Sequence, residues 1–340
     1  MMPWDTRARL WLYALGVPLA LLLAVVMVIA WTRAGEHAPG SPGRADHGQT
    51  TTRPAVPASS QAAEVWQTLE DGLELGIFAS PRPAEVGDGR IRILRINPGR
   101  FELRLVCASA SPQGGPLTAR QWCEAHGLVA AINAGMYKTD HRTATAFMRT
   151  GGHTNNPQRS KDNSLLVWDP VDANDAGATR PVRRGWSPAA QSEGPAARNG
   201  QDVRIADLER EDFDGLARRY RTLVQGIRMV TADGRNAWSE QPRRWSAAAI
   251  GTDRRGRVLF IHVRSPYRMH DLIDILLGLP IDLAAAQYAE GGPEAQLYVR
   301  SGATEFECIG SYETGFREDD TNDKAWPVPN VVGIARRSQP

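Results

Sequence analysis

Residues 283–300 carry the clearest structural pattern in the chain and read LAAAQYAEGGPEAQLYVR. The first part, 283–290, has the length and apolar composition of a buried strand, and Gly291 and Gly292 predict a turn before a second strand. A carboxylate that ends a buried strand beside paired glycines can meet a ligand without obstruction from a Cβ atom. Glu290 is therefore a candidate general acid or base, and the alternative is a solvated glutamate in a hairpin turn.

Similar apolar stretches predict a series of strands on both sides of this one. They lie at 91–96, 101–109, 128–133, 165–169, 222–230, 247–253, 257–263 and 331–337. In the second of them, apolar and polar residues alternate with the period of a half-buried strand. The Asn-Pro-Gly sequence at 97–99 predicts that the first two strands form a β-hairpin.

Two short helices are also predicted. Thr118 followed three residues later by Gln121 is a capping-box pattern, and Gly127 is expected to end that helix. An amphipathic stretch at 270–277, stopped by Gly278, predicts the second helix. Many strands with few short helices predict an α+β domain built around a single mixed sheet.

Composition excludes several broad classes of protein. The 340 residues are 42% hydrophobic and 23% charged, which is incompatible with wholesale disorder. The 40 Lys and Arg residues nearly balance the 38 Asp and Glu residues, so the sequence predicts no nucleic-acid partner. Three cysteines are too few for a disulfide scaffold. Cys107 and Cys123 either pair or remain two buried free thiols.

The N-terminal part of the chain predicts a membrane anchor. Residues 10–31 contain no charge and are long enough to cross a bilayer, whereas residues 1–9 carry Arg7 and Arg9. The positive-inside rule then places 1–9 in the cytoplasm and the rest of the chain in the periplasm or outside the cell. The expected topology is that of a single-pass membrane protein, and a cleaved signal peptide is the competing interpretation.

Two stretches are expected to lack fixed structure. Residues 32–62 are rich in Pro, Gly, Ser and Thr and predict a flexible linker between the anchor and a folded domain at 63–340. Residues from about 172 to 200 have the same character, and patterned sequence resumes after them. They are interpreted as a low-complexity insertion within the domain.

Two further strand ends combine polar groups with apolar surroundings. Asn133 directly follows a buried strand and precedes Gly135, so its amide is expected at a sheet edge, where an Asx turn is the simpler alternative. Gln225 and Arg228 interrupt another apolar strand. Burial of such groups requires partners, and a guanidinium is well suited to phosphate, although an exposed edge-strand arginine is equally compatible.

No pattern predicts a metal or a cofactor. The histidines have neither the spacing of a zinc site nor neighbouring cysteines. The sequence also lacks a P-loop, a dinucleotide-binding glycine motif and the G-x-S-x-G motif of many hydrolases.

Taken in chain order, these stretches resemble the phosphodiester glycosidase family, which contains the relatives of N-acetylglucosamine-1-phosphodiester α-N-acetylglucosaminidase. The resemblance spans about residues 66–337. It is carried by AAINAGMY (130–137), LVQGIRMV (223–230), WSAAAIG (245–251) and the strand end at 290–294. The resemblance rests on the order and the spacing of these motifs taken together.

This chain is a divergent member by the same criteria. Relatives carry Asp-Gly-Gly-x-Ser where this chain has Glu-Gly-Gly-Pro-Glu at 290–294. The arginine of the family's strand falls at Ala247, with Arg243 and Arg244 nearby. These differences leave open whether the chain is an active enzyme.

The resemblance implies a membrane-anchored hydrolase outside the cytoplasm, acting on a sugar-1-phosphodiester or a related glycoside of the cell envelope. The alternative is a catalytically inactive, glycan-binding envelope protein. The expected partners are a carbohydrate or sugar phosphate and, through 10–31, the membrane; the oligomeric state is open. The expected site comprises Glu290 as the catalytic carboxylate, Asn133 and Gln225 for sugar hydroxyls, Arg228 for phosphate, and Gly135, Gly291 and Gly292. Asp140 and Asp253 are the two candidates for a second carboxylate.

Overall fold

A computed structural model describes residues 66–171 and 202–337 of the chain. The predicted cytoplasmic segment 1–9, membrane anchor 10–31, linker 32–62 and insertion 172–200 lie outside the described residues. Within the two described ranges, no helix combines the length and the apolar character needed to span a bilayer.

The strands of the described residues form two sheets. The first has eleven strands: β1 (Trp66–Glu70), β2 (Leu73–Ala79), β3 (Arg90–Ile96), β6 (Met148–Thr150), β7 (His153–Asn156), β8 (Ser164–Pro170), β9 (Arg204–Asp207), β10 (Tyr220–Arg228), β11 (Trp245–Asp253), β12 (Val258–Tyr267) and β13 (Leu283–Gly291). The second has five: β4 (Phe101–Cys107), β5 (Ala130–Asn133), β14 (Gln296–Ser301), β15 (Thr304–Ile309) and β16 (Asn330–Arg336). The helices are α1 (Ala119–His126), α2 (Phe213–Arg219) and α3 (Met269–Gly278).

The sheets confirm an α+β domain that consists mostly of strands and has few, short helices. The larger sheet runs β1-β2-β3-β12-β11-β13-β10-β6-β7, with β8 and β9 attached to β10, and the smaller runs β15-β14-β5-β16-β4. The strand pairs within the described residues are antiparallel. The single sheet expected from the sequence is thus divided in two.

The predicted hairpin around 97–99 is wrong in its pairing, although both strands and the turn exist. Asn97 accepts backbone hydrogen bonds from Arg100 (3.0 Å) and Phe101 (3.1 Å), so the chain does turn here. However, β3 pairs with β2 and β12, whereas β4 pairs with β16. The turn therefore carries the chain from one sheet to the other. The apolar residues of β3 and β4 pack face to face between the two sheets, so the two strands do not pair as neighbours.

The two sheets pack face to face, and helices cover their outer faces. Leu94 and Phe260 of the larger sheet share one apolar cluster with Ile132 and Leu297 of the smaller sheet. On the other face of the larger sheet, α3 buries an apolar stripe that includes Leu272. On the other face of the smaller sheet, α1 contributes a fully buried tryptophan. The result is a four-layer arrangement of helix, sheet, sheet and helix.

Helix α1 confirms its predicted boundaries. The Thr118 hydroxyl accepts a hydrogen bond from the Gln121 backbone N–H (3.2 Å), and the Gln121 side chain accepts one from the Thr118 N–H (3.0 Å). Gly127 ends the helix in the left-handed conformation, at φ 61°. Both ends of the helix are thus determined by local side-chain and backbone chemistry.

A second crossing between the sheets determines where polar groups accumulate. The chain leaves β13 in the larger sheet, makes a short 3-10 turn at Gly292–Glu294, and enters β14 in the smaller sheet. Strand β5 pairs with β14, so Asn133 at its end lies beside this turn. The predicted strand end at Asn133 therefore lies beside the turn that follows the predicted strand end at Glu290.

Candidate functional site

Asn133 is bound to the backbone just after the glycine turn. Its side-chain amide donates to the Glu294 carbonyl (2.9 Å), and its oxygen accepts from the Gln296 N–H (2.7 Å). The residue is only 1% exposed. These contacts give Asn133 a structural task, and its expected role in binding sugar hydroxyls stays a prediction.

The two glycines of the turn are required by the space around them. A Cβ on Gly291 would overlap the Tyr288 hydroxyl and lie 2.5 Å from Trp245 Cδ1. Gly292 has a φ of +63°, and a Cβ there would lie 2.6 Å from Glu313 Oε2 and 3.5 Å from Glu294 Oε2. Side chains therefore close in on the backbone of this turn from two sides, as expected where glycine permits close approach.

Three glutamates surround this turn. Glu290 Oε1 accepts a hydrogen bond from the Gly291 N–H (3.1 Å), while the Glu294 and Glu313 carboxylates lie beside Gly292. All three are half-buried. We refer to Glu290, Glu294 and Glu313 as the glutamate cluster.

Tyr288 is the buried centre of this cluster. It is 7% exposed, and burial is the first cause that raises its pKa well above the usual value. The nearby carboxylates of Glu290, Glu313 and Glu294 raise it further because a tyrosinate would be repelled by them. The phenol therefore remains a neutral hydrogen-bonding group next to the carboxylates.

Two tryptophans form an aromatic wall beside Tyr288. The ring of Trp238 lies 6.3 Å from that of Trp245 and 5.9 Å from that of Tyr288. Both tryptophans are half-buried, so part of each ring faces solvent. Aromatic faces next to carboxylates suit a ligand with both C–H surfaces and polar groups, as a sugar has.

The loop that carries Glu313 is held against the start of β11. The Ser246 hydroxyl accepts from the Ser311 (2.9 Å) and Tyr312 (3.2 Å) N–H groups, and Trp245 and Glu313 form a backbone bridge. Arg243 Nη2 lies 3.4 Å from Glu313 Oε1. The Arg243 guanidinium therefore contacts the glutamate cluster through Glu313.

A narrow cleft adjoins the cluster through Tyr288. Its volume is only about 10 Å³, and Gly135, Gln225 and Gly226 are among its lining residues. The Gln225 amide is already bound to the 158–163 segment: it accepts from the Ser160 N–H (3.0 Å) and donates to the Asp162 carbonyl (2.8 Å). Gly135 and Gln225 thus line a cleft that Tyr288 shares, and their role in ligand binding stays a prediction.

A wider groove of about 370 Å³ lies between α1 and the β14–β15 hairpin. Its lining includes Glu124, Tyr298, Arg300 and Arg336 and none of the strand ends that the sequence singles out. We therefore place the candidate site at the glutamate cluster and not at the larger opening.

Arg228 does not join the other predicted residues. Its guanidinium contacts Asp207 Oδ1 (2.5 Å) and Glu209 Oε2 (2.8 Å), and its side chain is 14% exposed. The strand is regular at this point, so Gln225 and Arg228 lie on opposite faces. A phosphate would have to compete with two carboxylates for this arginine, and Arg228 is not carried into the site.

The two aspartates considered as second carboxylates lie elsewhere. Asp253 is buried at the far end of β11, where it binds Arg257 (2.6 Å) and the turn backbone. Asp140 is exposed and accepts from the Arg142 and Thr143 N–H groups, both at 2.9 Å. The sequence analysis did not predict Glu294 or Glu313 as a second carboxylate, although both lie beside Gly292. Glu294 belongs to the glycine motif itself, whereas Glu313 stands in an irregular loop with no local pattern.

The described residues give no indication of a metal centre. Within 66–171 and 202–337, no group of three or more His, Cys, Asp or Glu side chains has the geometry to hold an ion. The three cysteines are free and buried. Burial raises the pKa of Cys107 to about 12, which keeps this thiol protonated.

Comparison with known proteins identifies the family and agrees with the fold. The family model described as phosphodiester glycosidase matches residues 126–335, which is more than half of the chain. The chain belongs to the phosphodiester glycosidase family, whose members are glycosidase-type hydrolases. No curated protein sequence matches it.

Two solved structures are similar to this chain at low sequence identity. A hypothetical protein from Synechocystis has a TM-score of 0.50 at 14% identity, over 78% of this chain and 62% of that one. The match thus covers less than two thirds of that protein, and it shows a shared fold. The zebrafish N-acetylglucosamine-1-phosphodiester alpha-N-acetylglucosaminidase catalytic domain, auto-inhibited by its pro-peptide, has a TM-score of 0.49 at 14% identity, over 78% of this chain and 84% of that one.

Proposed function

We propose that the chain is a hydrolase of a sugar-1-phosphodiester or a related glycoside and that the glutamate cluster is its catalytic site. The observation that carries the proposal is the meeting of three glutamates around the Gly291–Gly292 turn, next to buried Tyr288. Family membership supports the reaction class. The zebrafish enzyme, by its name, acts on such a phosphodiester.

The proposed chemistry uses two carboxyl groups. Glu290 acts as the acid or base at the glycosidic oxygen, and Glu294 or Glu313 supplies the second carboxylate, which attacks the sugar carbon or activates water. A phosphate leaving group is weakly basic and needs little protonation, so the second carboxylate is then the more important one. Arg243 contacts Glu313, and its guanidinium would bind a phosphate oxygen of the substrate.

The surrounding residues would orient the sugar. The exposed parts of the Trp238 and Trp245 rings offer a flat apolar surface, and Gly291 and Gly292 let Trp245 and Glu313 approach the backbone of the turn closely. Asn133 supports this arrangement indirectly, because its hydrogen bonds hold the backbone of Glu294 and Gln296.

We further propose that residues 10–31 anchor the protein in a membrane with the folded domain outside the cytoplasm. The support is the uncharged stretch itself and the preceding Arg7 and Arg9. Protease treatment of intact cells expressing the full chain tests this topology. Digestion of the domain without cell lysis is expected, and protection until lysis would contradict it.

A non-catalytic, glycan-binding protein is the second candidate function. It is favoured by Ala247 at the position of the family's arginine and by Glu290 at the position of the family's aspartate. Binding of sugars without turnover would support it.

The decisive experiment measures hydrolysis of N-acetylglucosamine-1-phosphodiesters by the purified full chain with mass spectrometry. Glu290→Gln is expected to reduce turnover by about 10²–10⁴-fold without unfolding. Glu124→Gln, at an exposed helix position, is the matched control and should retain activity. No turnover by the native chain on any of these diesters, together with sugar binding, would replace the hydrolase with the second candidate.

A further inference from the structure

A second arrangement of reactive side chains lies outside the glutamate cluster. Ser109, in the turn after β4, has its hydroxyl oxygen 2.7 Å from Nε2 of His153 at the start of β7. Both residues are partly exposed. A hydroxyl within hydrogen-bond reach of an imidazole is the core of a nucleophile–base pair. Ser109 precedes the part of the chain that matches the family, 126–335.

The hydrogen-bond directions around this pair can be followed from the backbone. The Ala144 N–H donates to Asn155 Oδ1 (2.8 Å), and a backbone N–H can only donate, so the orientation of the Asn155 amide is fixed. Asn155 Nδ2 must therefore be the donor to Ser109 Oγ (2.8 Å). Its further contact with the Arg142 carbonyl (3.0 Å) agrees with this assignment.

This arrangement lets the serine hydrogen reach the histidine. Ser109 Oγ accepts from Asn155, and in the His153 tautomer with its proton on Nδ1 the serine donates its own hydrogen to Nε2. In that tautomer Nε2 carries no proton and can act as a base. Asn155 thus has the position of a residue that orients the nucleophile.

A buried amide next to this pair leaves one donor unused. Asn330 is 1% exposed; its Oδ1 accepts from Asn155 (3.3 Å), while its Nδ2 has no hydrogen-bond partner among the described residues. Buried donors without acceptors are rare because each costs about 1–3 kcal/mol. This atom adds an unsatisfied buried donor to the polar cluster that contains Ser109, His153 and Asn155.

The same turn contains a natural comparison. Ser111 Oγ lies 3.4 Å from His126 Nε2, but its hydroxyl donates to Gln113 Oε1. Its hydrogen is therefore used elsewhere, and its histidine is farther away. Two serines in one turn thus differ in the feature that makes a hydroxyl nucleophilic.

We propose that Ser109 and His153 form a second reactive site, which accepts acyl groups from carboxylic esters. Ser109 Oγ attacks the carbonyl carbon while its proton passes to His153 Nε2. The bond to the leaving alkoxide breaks, and the alkoxide takes that proton and departs as an alcohol. Water, deprotonated by the same nitrogen, then releases the acid and restores the serine.

A fluorophosphonate probe added to the full chain tests the proposal directly. Attack by Ser109 forms an O–P bond, releases fluoride and leaves a stable adduct that peptide mass spectrometry locates. We expect the label on Ser109, its loss in Ser109→Ala, and its retention in Ser111→Ala. Replacing the base in His153→Gln should slow labelling by about 100-fold or more. Hydrolysis of p-nitrophenyl acetate by the same variants should change in parallel.

Two results would overturn this assignment. One is labelling of Ser109 in the native chain no faster than that of Ser111, and the other is an unchanged rate in a folded His153→Gln variant. Thermal melting of each variant establishes that it is folded. If His153→Gln does not fold, the position and rate of labelling in the native chain decide alone.

Discussion

The oxygen of the Asn133 side chain accepts a hydrogen bond from the backbone N–H of Gln296 at 2.7 Å, and this contact fastens the end of β5 to the beginning of β14. The amide nitrogen of the same side chain binds the Glu294 carbonyl. Asn133 therefore fixes the backbone of Glu294, whose carboxylate belongs to the candidate site. Asn133 matters to the site through the position it gives Glu294.

Asn133→Ala should destabilise the protein. It leaves the buried Gln296 N–H without its partner and removes one of two hydrogen bonds to the Glu294 carbonyl, so the free energy of unfolding should fall by about 1–3 kcal/mol. Denaturant unfolding measures this change. Asn163→Ala, which removes a partly exposed contact with Glu209, should change it by about 0.5 kcal/mol or less. An Asn133→Ala variant of native stability that has lost sugar binding would instead assign the residue to the ligand.

Gly291→Ala should reduce both stability and turnover. The added methyl group would overlap the Tyr288 hydroxyl and press on Trp245 Cδ1, so one of these side chains must move. Overpacking of this kind costs about 1–3 kcal/mol. Gly151→Ala is the control, because a Cβ there meets nothing within 4 Å. Unfolding and hydrolysis measured on both variants test this, and a Gly291→Ala variant indistinguishable from the native chain would contradict the packing described.

His262 should make the protein less stable in acid. It is fully buried, its Nε2 lies 3.2 Å from the Ala295 carbonyl oxygen, and burial lowers the pKa of its imidazole from 6.5 to about 4. Between these values the unfolded chain binds the proton more readily, so this contribution to stability is complete above pH 6.5 and falls as the pH drops to 4. The expected loss is about 3 kcal/mol.

Urea unfolding of the native chain and of His262→Met at pH 7 and pH 4 measures this contribution. The methionine variant lacks the titrating group, so its stability should vary less between the two pH values by that same amount. Equal pH dependence in the two proteins would show that the pKa of this histidine is the same in the folded and unfolded states.

Thr118→Ala should weaken helix α1. The variant loses the hydroxyl that accepts from the Gln121 N–H and with it half of the capping box, which costs about 1 kcal/mol. Thermal unfolding monitored by circular dichroism measures the change. Thr139→Ala, at an exposed loop position, serves as the control. If the two variants melt together, the cap contributes nothing to the stability of the domain.

Local chemistry made much of the fold predictable. The capping box at Thr118 and Gln121, the glycine end of α1 at Gly127, and the strand at 283–290 are encoded by neighbouring residues and were found where expected. The partners of each strand are not encoded locally. The turn at 97–99 is a good hairpin turn by sequence, yet its two strands belong to different sheets because tertiary packing selects the pairing.

The site was predictable to the same extent. Glu290 and Asn133 were recognisable as polar residues that end apolar strands, and the fold places Asn133 against Glu294, four residues after Glu290. Glu313 was not recognisable, since its loop has no periodicity and is held against the start of β11 by residues distant in sequence, among them Ser246, Trp245 and Arg243. Arg228 was singled out for its chemistry, but the period of two along its strand turned it towards Asp207 and Glu209.

The crossing at Gly292–Glu294 has a consequence for the order in which the protein matures. The carboxylates come together only after residues near 133, 245, 290 and 313, far apart in the chain, have docked onto both layers. Contacts between such distant segments carry a large entropic cost of closure and form late. A partly folded chain, or one that ends before residue 313, would thus lack the complete glutamate cluster. Activity at the proposed site would then require the fully folded domain.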